Sequence, residues 1–150
     1  MKAKDWLMRA RHLEGRIESL LEARARIYDQ ATSSTSRVRD TPTSGGAGMP
    51  DDKMAGYASV GEEIEEQRKR LDEVRVEIIQ VIGQIEDNTS ATLLTEYYIN
   101  DKTWNEVARG MNYSFAHVTK VLHPKALRLV EKMLINTNSI CGTMVLSKKP

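Results

Sequence analysis

The chain predicts an all-α protein: a long two-helix antiparallel coiled-coil hairpin followed by a small helix-turn-helix domain. Three observations carry this. Two long stretches repeat apolar residues in alternating steps of three and four, the signature of a coiled-coil seam. A stretch rich in Ser, Thr, Gly and Pro separates them. Residues 103–122 then hold the caps, the turn residue and the apolar positions of two short helices meeting at a tight turn.

Composition sets the bounds. A length of 150 residues favours one domain or two small ones, and 40% apolar residues exclude wholesale disorder. Phe occurs once and 29% of residues are charged, an aliphatic make-up that suits helices better than aromatic strands. No apolar run approaches the roughly 18 residues needed to cross a bilayer. Met1-Lys-Ala-Lys-Asp-Trp6 lacks the apolar core of a signal peptide, so a soluble, cytoplasmic protein with no membrane partner is expected. Cys141 is the sole cysteine, which excludes an internal disulfide and a cysteine-based zinc site. The net charge of +1 hides an uneven distribution. Residues 1–26 carry seven Lys/Arg against four Asp/Glu, residues 51–87 five against eleven, and residues 102–132 six against two.

The first seam runs Trp6, Ala10, Leu13, Ile17, Leu20, Ile27 and Ala31, with Arg24 in one seam position and Leu7, Leu21 and Tyr28 widening it. Nothing interrupts that helix before Thr32. Residues 32–51 read as a linker; Gly45-Gly-Ala-Gly48 is no phosphate loop, because no strand precedes it and no Gly-Lys-Ser/Thr closes it. The second seam, Tyr57, Val60, Ile64, Gln67, Leu71, Val74, Ile78, Val81 and Ile85, is unbroken over four heptads. A basic first helix and an acidic second suit antiparallel pairing, although exposed ion pairs add only a few tenths of a kcal/mol each and the apolar seam supplies the larger part. Ile79 and Ile82 add apolar surface that the C-terminal domain or a second subunit must cover, and a homodimer is expected. Residues 1–87 thus form the hairpin.

Asn88-Thr-Ser90 offers fresh caps for a helix over 91–99 with Leu93, Leu94, Tyr97 and Tyr98 inward, and Asn100-Asp-Lys102 turns the chain. Thr103 and Glu106 stand in capping-box relation, Val107, Ala108 and Met111 form an apolar face, and Asn112 tolerates the left-handed turn. Ser114 caps the second short helix, with Val118 and Val121 inward. Pro124 must end or kink that helix and can open another, over 125–135, with Ala126, Leu127, Val130, Met133 and Leu134 inward. Asn136-Thr-Asn-Ser139 stops it. Residues 88–135 form the helix-turn-helix domain and 136–150 a tail.

Helix 114–123 is the expected reading element. Its outward residues, Ser114, Phe115, Ala116, His117, Thr119, Lys120 and His123, are candidates for base contacts in a major groove, and Arg109, Lys125 and Arg128 for phosphate contacts. Lys120 can donate to guanine, Ser114 or Thr119 to either base edge, and Phe115 can lie against a thymine methyl or pack on the preceding helix. With one Lys and no Arg on the helix, a single copy should bind modestly. His117 and His123 fall on different faces, so no metal site is expected; Trp104 reads as core and His12 as surface. The run Glu62, Glu63, Glu65, Glu66 is a charged helix surface without a pocket, and with no nucleophile-base set the chain reads as no enzyme and as needing no cofactor.

Tyr97-Tyr-Ile-Asn-Asp-Lys-Thr-Trp-Asn-Glu-Val-Ala108, Tyr113-Ser-Phe-Ala-His-Val118 and His123-Pro-Lys-Ala-Leu127 resemble phage transcriptional regulators of the RinA/ArpU type, whose C-terminal domain is similar to region 4 of sigma-70 factors. In this chain Pro124 interrupts the helix and the spacing from Ser114 to Ala126 is one residue longer. The resemblance implies that residues 114–123 read double-stranded DNA in control of phage or prophage genes, with RNA polymerase a further candidate partner. Two alternatives stay open: a small-terminase-like DNA-packaging subunit, which also joins a helix-turn-helix to oligomerising helices, and a coiled-coil interaction adaptor.

Overall fold

The structure is a computed structural model that describes the backbone of residues 2–35 and 51–146 and the side chains of 2–33 and 52–138. The described residues are all-helical, without strands. In order they form α1 (Ala3–Thr35), α2 (Asp51–Ile82), α3 (Asn88–Leu94) running into a π turn (Thr95–Ile99), α4 (Trp104–Met111), α5 (Phe115–His117) running into a second π turn (Val118–Leu122), and α6 (His123–Leu146). No helix among them is long and apolar enough to cross a membrane.

Of the linker expected over 32–51, residues 36–50 lie outside the described residues, while 32–35 are helical. The cause is local. Thr32 Oγ1 donates to the Tyr28 carbonyl at 3.0 Å and Ser33 Oγ to that of Asp29 at 2.7 Å, so hydroxyls expected to leave the helix bond back along it. The expected stop at Asn136–Ser139 is corrected in the same way: α6 continues to Leu146, with Thr137 Oγ1 donating to the Met133 carbonyl at 2.9 Å. The side chain of Cys141 lies outside the described set.

The chain divides into two compact units, Met1–His12 with Asp72–Pro150, and Leu13–Leu71; the division does not fall at the boundary expected at residue 87. In the second unit Ile17, Ile64 and Leu71 are buried along the expected stripes, and so is Gln67, whose Nε2 donates to Glu63 Oε1 at 2.7 Å. Residues of α1 and α2 meet there in reversed order: Arg16 pairs with Glu63 at 3.2 Å, and the Arg24 guanidinium lies 4.1 Å over the Tyr57 ring. Gly61 makes room for that guanidinium, since a Cβ there would come within 3.1 Å of it. Leu21 and Tyr28, expected to widen the seam, are exposed.

In the first unit the seam of α1 begins at Ala3, Leu7 and Ala10, all fully buried, with Trp6 only half-buried, a shift of one position from the expected stripe. Ile78, Ile82 and Ile85 are buried, whereas Ile79 is half exposed, so only part of the expected apolar excess is uncovered. Ile85 is buried from the turn after α2 rather than from the helix. Leu93, Leu94, Tyr98, Val107, Val118, Ala126 and Val130 complete this core.

Candidate nucleic-acid interface

Local chemistry sets the two short helices. Thr103 takes an extended conformation, its Oγ1 accepts from the Glu106 amide at 3.3 Å, and its own amide donates to Glu106 Oε2 at 2.7 Å. The Thr103 backbone bond, with the hydroxyl behind it, holds the Glu106 carboxyl below its ordinary range. Asn112 ends α4 in the left-handed conformation at φ 59°, ψ 36°, and the Tyr113 amide closes back on the Ala108 carbonyl at 3.0 Å. Ser114 caps the next helix by accepting from the His117 amide at 3.2 Å.

From Ser114 the backbone stays helical through Pro124, with His123 at φ −64°, ψ −48°, so the break expected at the proline does not occur. The π turn Val118–Leu122 lies directly before it, and the His123 amide bonds five residues back to the Val118 carbonyl. Pro124 brings no N–H for the ladder, and its ring crowds the carbonyl four residues earlier; a widened turn moves that carbonyl aside. The register changes with it. A step of four residues drifts about 40° around an α-helix, and the π turn takes back one such step. Val118, Leu122, Ala126 and Val130, each four apart, therefore share one buried line, while Val121, expected inward, is 51% exposed.

Opposite that line, Ser114, Phe115, Ala116 and Lys120 are exposed and Thr119 and His117 half-buried. Phe115 is 50% exposed. Thr119 Oγ1 donates to the Phe115 carbonyl at 2.9 Å, so its proton is not offered outward. The His117 ring tilts 30° to that of Tyr113, centroids 5.1 Å apart. Arg109 and Arg128 are exposed and make no ion pair among the described residues.

Two candidates are placed elsewhere. Lys125 Nζ pairs with Asp87 at 2.9 Å, which offsets its charge toward a phosphate; the Ser90 hydroxyl and then Lys125 hold the Asp87 carboxyl below its ordinary range. His123 does not join the outward row. Tyr97 stacks on Trp104 at 3.7 Å and 12°, the His123 ring meets Trp104 edge-on at 4.6 Å, and Tyr98 Oη lies 2.8 Å from His123 Nε2. Burial, with Lys4 nearby, lowers the His123 pKa to about 4, and burial raises that of Tyr98. His123 is therefore neutral at pH 7 and shares this hydrogen bond with the phenol. Trp104, expected as core, is half-buried within this stack.

Arg11, which the sequence does not single out, ties α1 to the same cluster. Its guanidinium lies 4.3 Å over Tyr97, donates to the Tyr97 carbonyl at 3.2 Å and pairs with Asp101 at 2.8 Å. Asp101 holds the left-handed conformation at φ 55° in the turn before α4, and Lys102 pairs with Glu96. No local pattern signals this link, since Arg11 and Tyr97 are 86 residues apart in the chain. Among the described residues no group of His, Cys, Asp and Glu could hold a metal ion. No protein-family model, curated protein or solved structure matches the chain.

Proposed function

We propose that the chain is a sequence-specific double-stranded DNA-binding transcription regulator of phage or prophage genes, and that residues 103–122 act as its helix-turn-helix. The observation that carries this reading is the pair of capped helices around left-handed Asn112, with Val118 and Leu122 turned inward and Ala116 and Lys120 on the opposite side. Such a face can enter a major groove with Ser114, Phe115, Ala116, His117, Thr119 and Lys120 against base edges while Arg109 and Arg128 hold the backbone. The reversed order of contacts between α1 and α2 supports an antiparallel coiled-coil hairpin, whose partly exposed flank at Val76 and Ile79 suits a homodimer. Two copies would supply the affinity that one Lys on the reading helix cannot.

Gel shifts across fragments of the parent genome at low salt test this. The expected result is retention of discrete fragments, weakened about tenfold or more by Lys120→Ala. No retained fragment at low salt would count against DNA binding. A second reading, an interaction adaptor docking RNA polymerase or another protein, draws on the exposure of Tyr113, Phe115 and Val121. Polymerase captured by the full chain, without any DNA retention, would favour it.

A further inference from the structure

Resting on that DNA-binding reading, we propose that the recognition face reads thymine methyl groups through Phe115 and Ala116, so that apolar contact as well as hydrogen bonds selects its major-groove site. The support is what the face offers once the Thr119 hydroxyl and His123 are taken up, which leaves the Ser114 hydroxyl proton, the His117 ring and Lys120 as its polar groups beside Phe115 and Ala116. Thr119 has its hydroxyl proton on the Phe115 carbonyl, and the Ser114 oxygen accepts from the His117 amide. His123 is held by Tyr98. What faces outward along the helix is Phe115 at 50% exposure and the Ala116 methyl, with Lys120 as the cation beside them; Val121, 51% exposed, is six residues from Phe115 and lies on a different side of the helix.

In the major groove thymine differs from the other bases by its C5 methyl, and Ala, Phe and the Thr methyl are the side chains that contact it. The choice of DNA as the occupant follows from charge. Residues 102–132 carry six Lys/Arg against two Asp/Glu, and Arg109, Lys120 and Arg128 are exposed without an ion pair among the described residues. Apolar Phe115 and Ala116 among unpaired cations suit base edges flanked by phosphates.

The test starts from the full chain and a site enriched from a random duplex library at low salt. Each thymine of that site is replaced singly by deoxyuridine, which removes only the methyl, and affinities are read by fluorescence anisotropy. The expected result is a loss of about three- to fivefold at two or more thymines, the effect of one buried methyl. Phe115→Ala should abolish the methyl effect at one of these positions while leaving the salt dependence unchanged, which identifies the contact through a double-mutant cycle. Its unchanged thermal melt checks that the variant folds. Specific binding that is indifferent to deoxyuridine at every position would overturn the methyl reading and leave DNA binding standing. Failure to enrich any duplex would overturn both.

Discussion

His123 is the residue whose chemistry most depends on its neighbours. Its ring shares a hydrogen bond with Tyr98 and packs on Trp104, and burial holds its pKa at about 4, against about 6.5 when exposed. The unfolded chain therefore binds a proton that the folded one refuses between these values, so the contribution is complete above pH 6.5 and is lost as pH falls toward 4. Because the ring remains partly open to solvent, the loss should amount to about 1–2 kcal/mol rather than the full linkage value. Urea denaturation of the wild type at pH 7 and pH 4.5, set against His123→Gln, should show this decline shrinking in the variant. An equal decline in both would remove His123 as its source. The side-chain hydroxyls teach a related lesson. Thr32 and Thr137 read as helix stops, yet each donates to the carbonyl four residues back and the helix goes on.

At the scale of an element, the helical stretch from Ser114 to Leu146 combines features that are legible in the sequence with one that is not. The capping box, the left-handed Asn112 and the Ser114 cap rest on residue types within four positions of one another, and all three expectations match the geometry. The π turn is different, since periodicity allows either Val121 or Leu122 to follow Val118 inward. The buried line through Ala126 and Val130, together with the need to accommodate Pro124, selects Leu122. Leu122→Ala should therefore cost about 2–4 kcal/mol and Val121→Ala less than about 0.5 kcal/mol, measured by thermal or urea unfolding. The reverse order would mean that the turn is a plain α-helical one. Asn112→Gly should be tolerated, whereas Asn112→Ala should lower stability by about 1 kcal/mol because alanine resists positive φ.

Across the whole molecule the net charge of +1 does not show which cations near the two short helices are free to meet a phosphate. Lys102 pairs with Glu96, Lys125 with Asp87 and Arg11 with Asp101, whereas Arg109, Lys120 and Arg128 make no such pair among the described residues. Three phosphate or base-edge cations per copy imply a slope of log affinity against log salt of about −3, doubling if two copies bind together. Anisotropy titrations over a salt series should give such a slope. It should fall by about one unit per copy in Arg109→Ala or Arg128→Ala and stay unchanged in Lys125→Ala. A slope that none of these substitutions moves would place the phosphate contacts elsewhere.

The stripe of α2, that of α1 from Ala10 on, the caps at Thr103 and Ser114 and the all-helical class were readable from the chain alone, because helical periodicity and capping are agreements between residues a few positions apart; the cap expected within Asn88–Ser90 falls on Asp87 instead. The start of the α1 seam at Ala3 and Leu7 rather than Trp6, the loss of His123 from the outward row, the pairing of Lys125 and the link from Arg11 to Tyr97 were not. Each depends on a partner about 25 to 90 positions away, whose approach no local pattern encodes and which packing of the helices alone brings near.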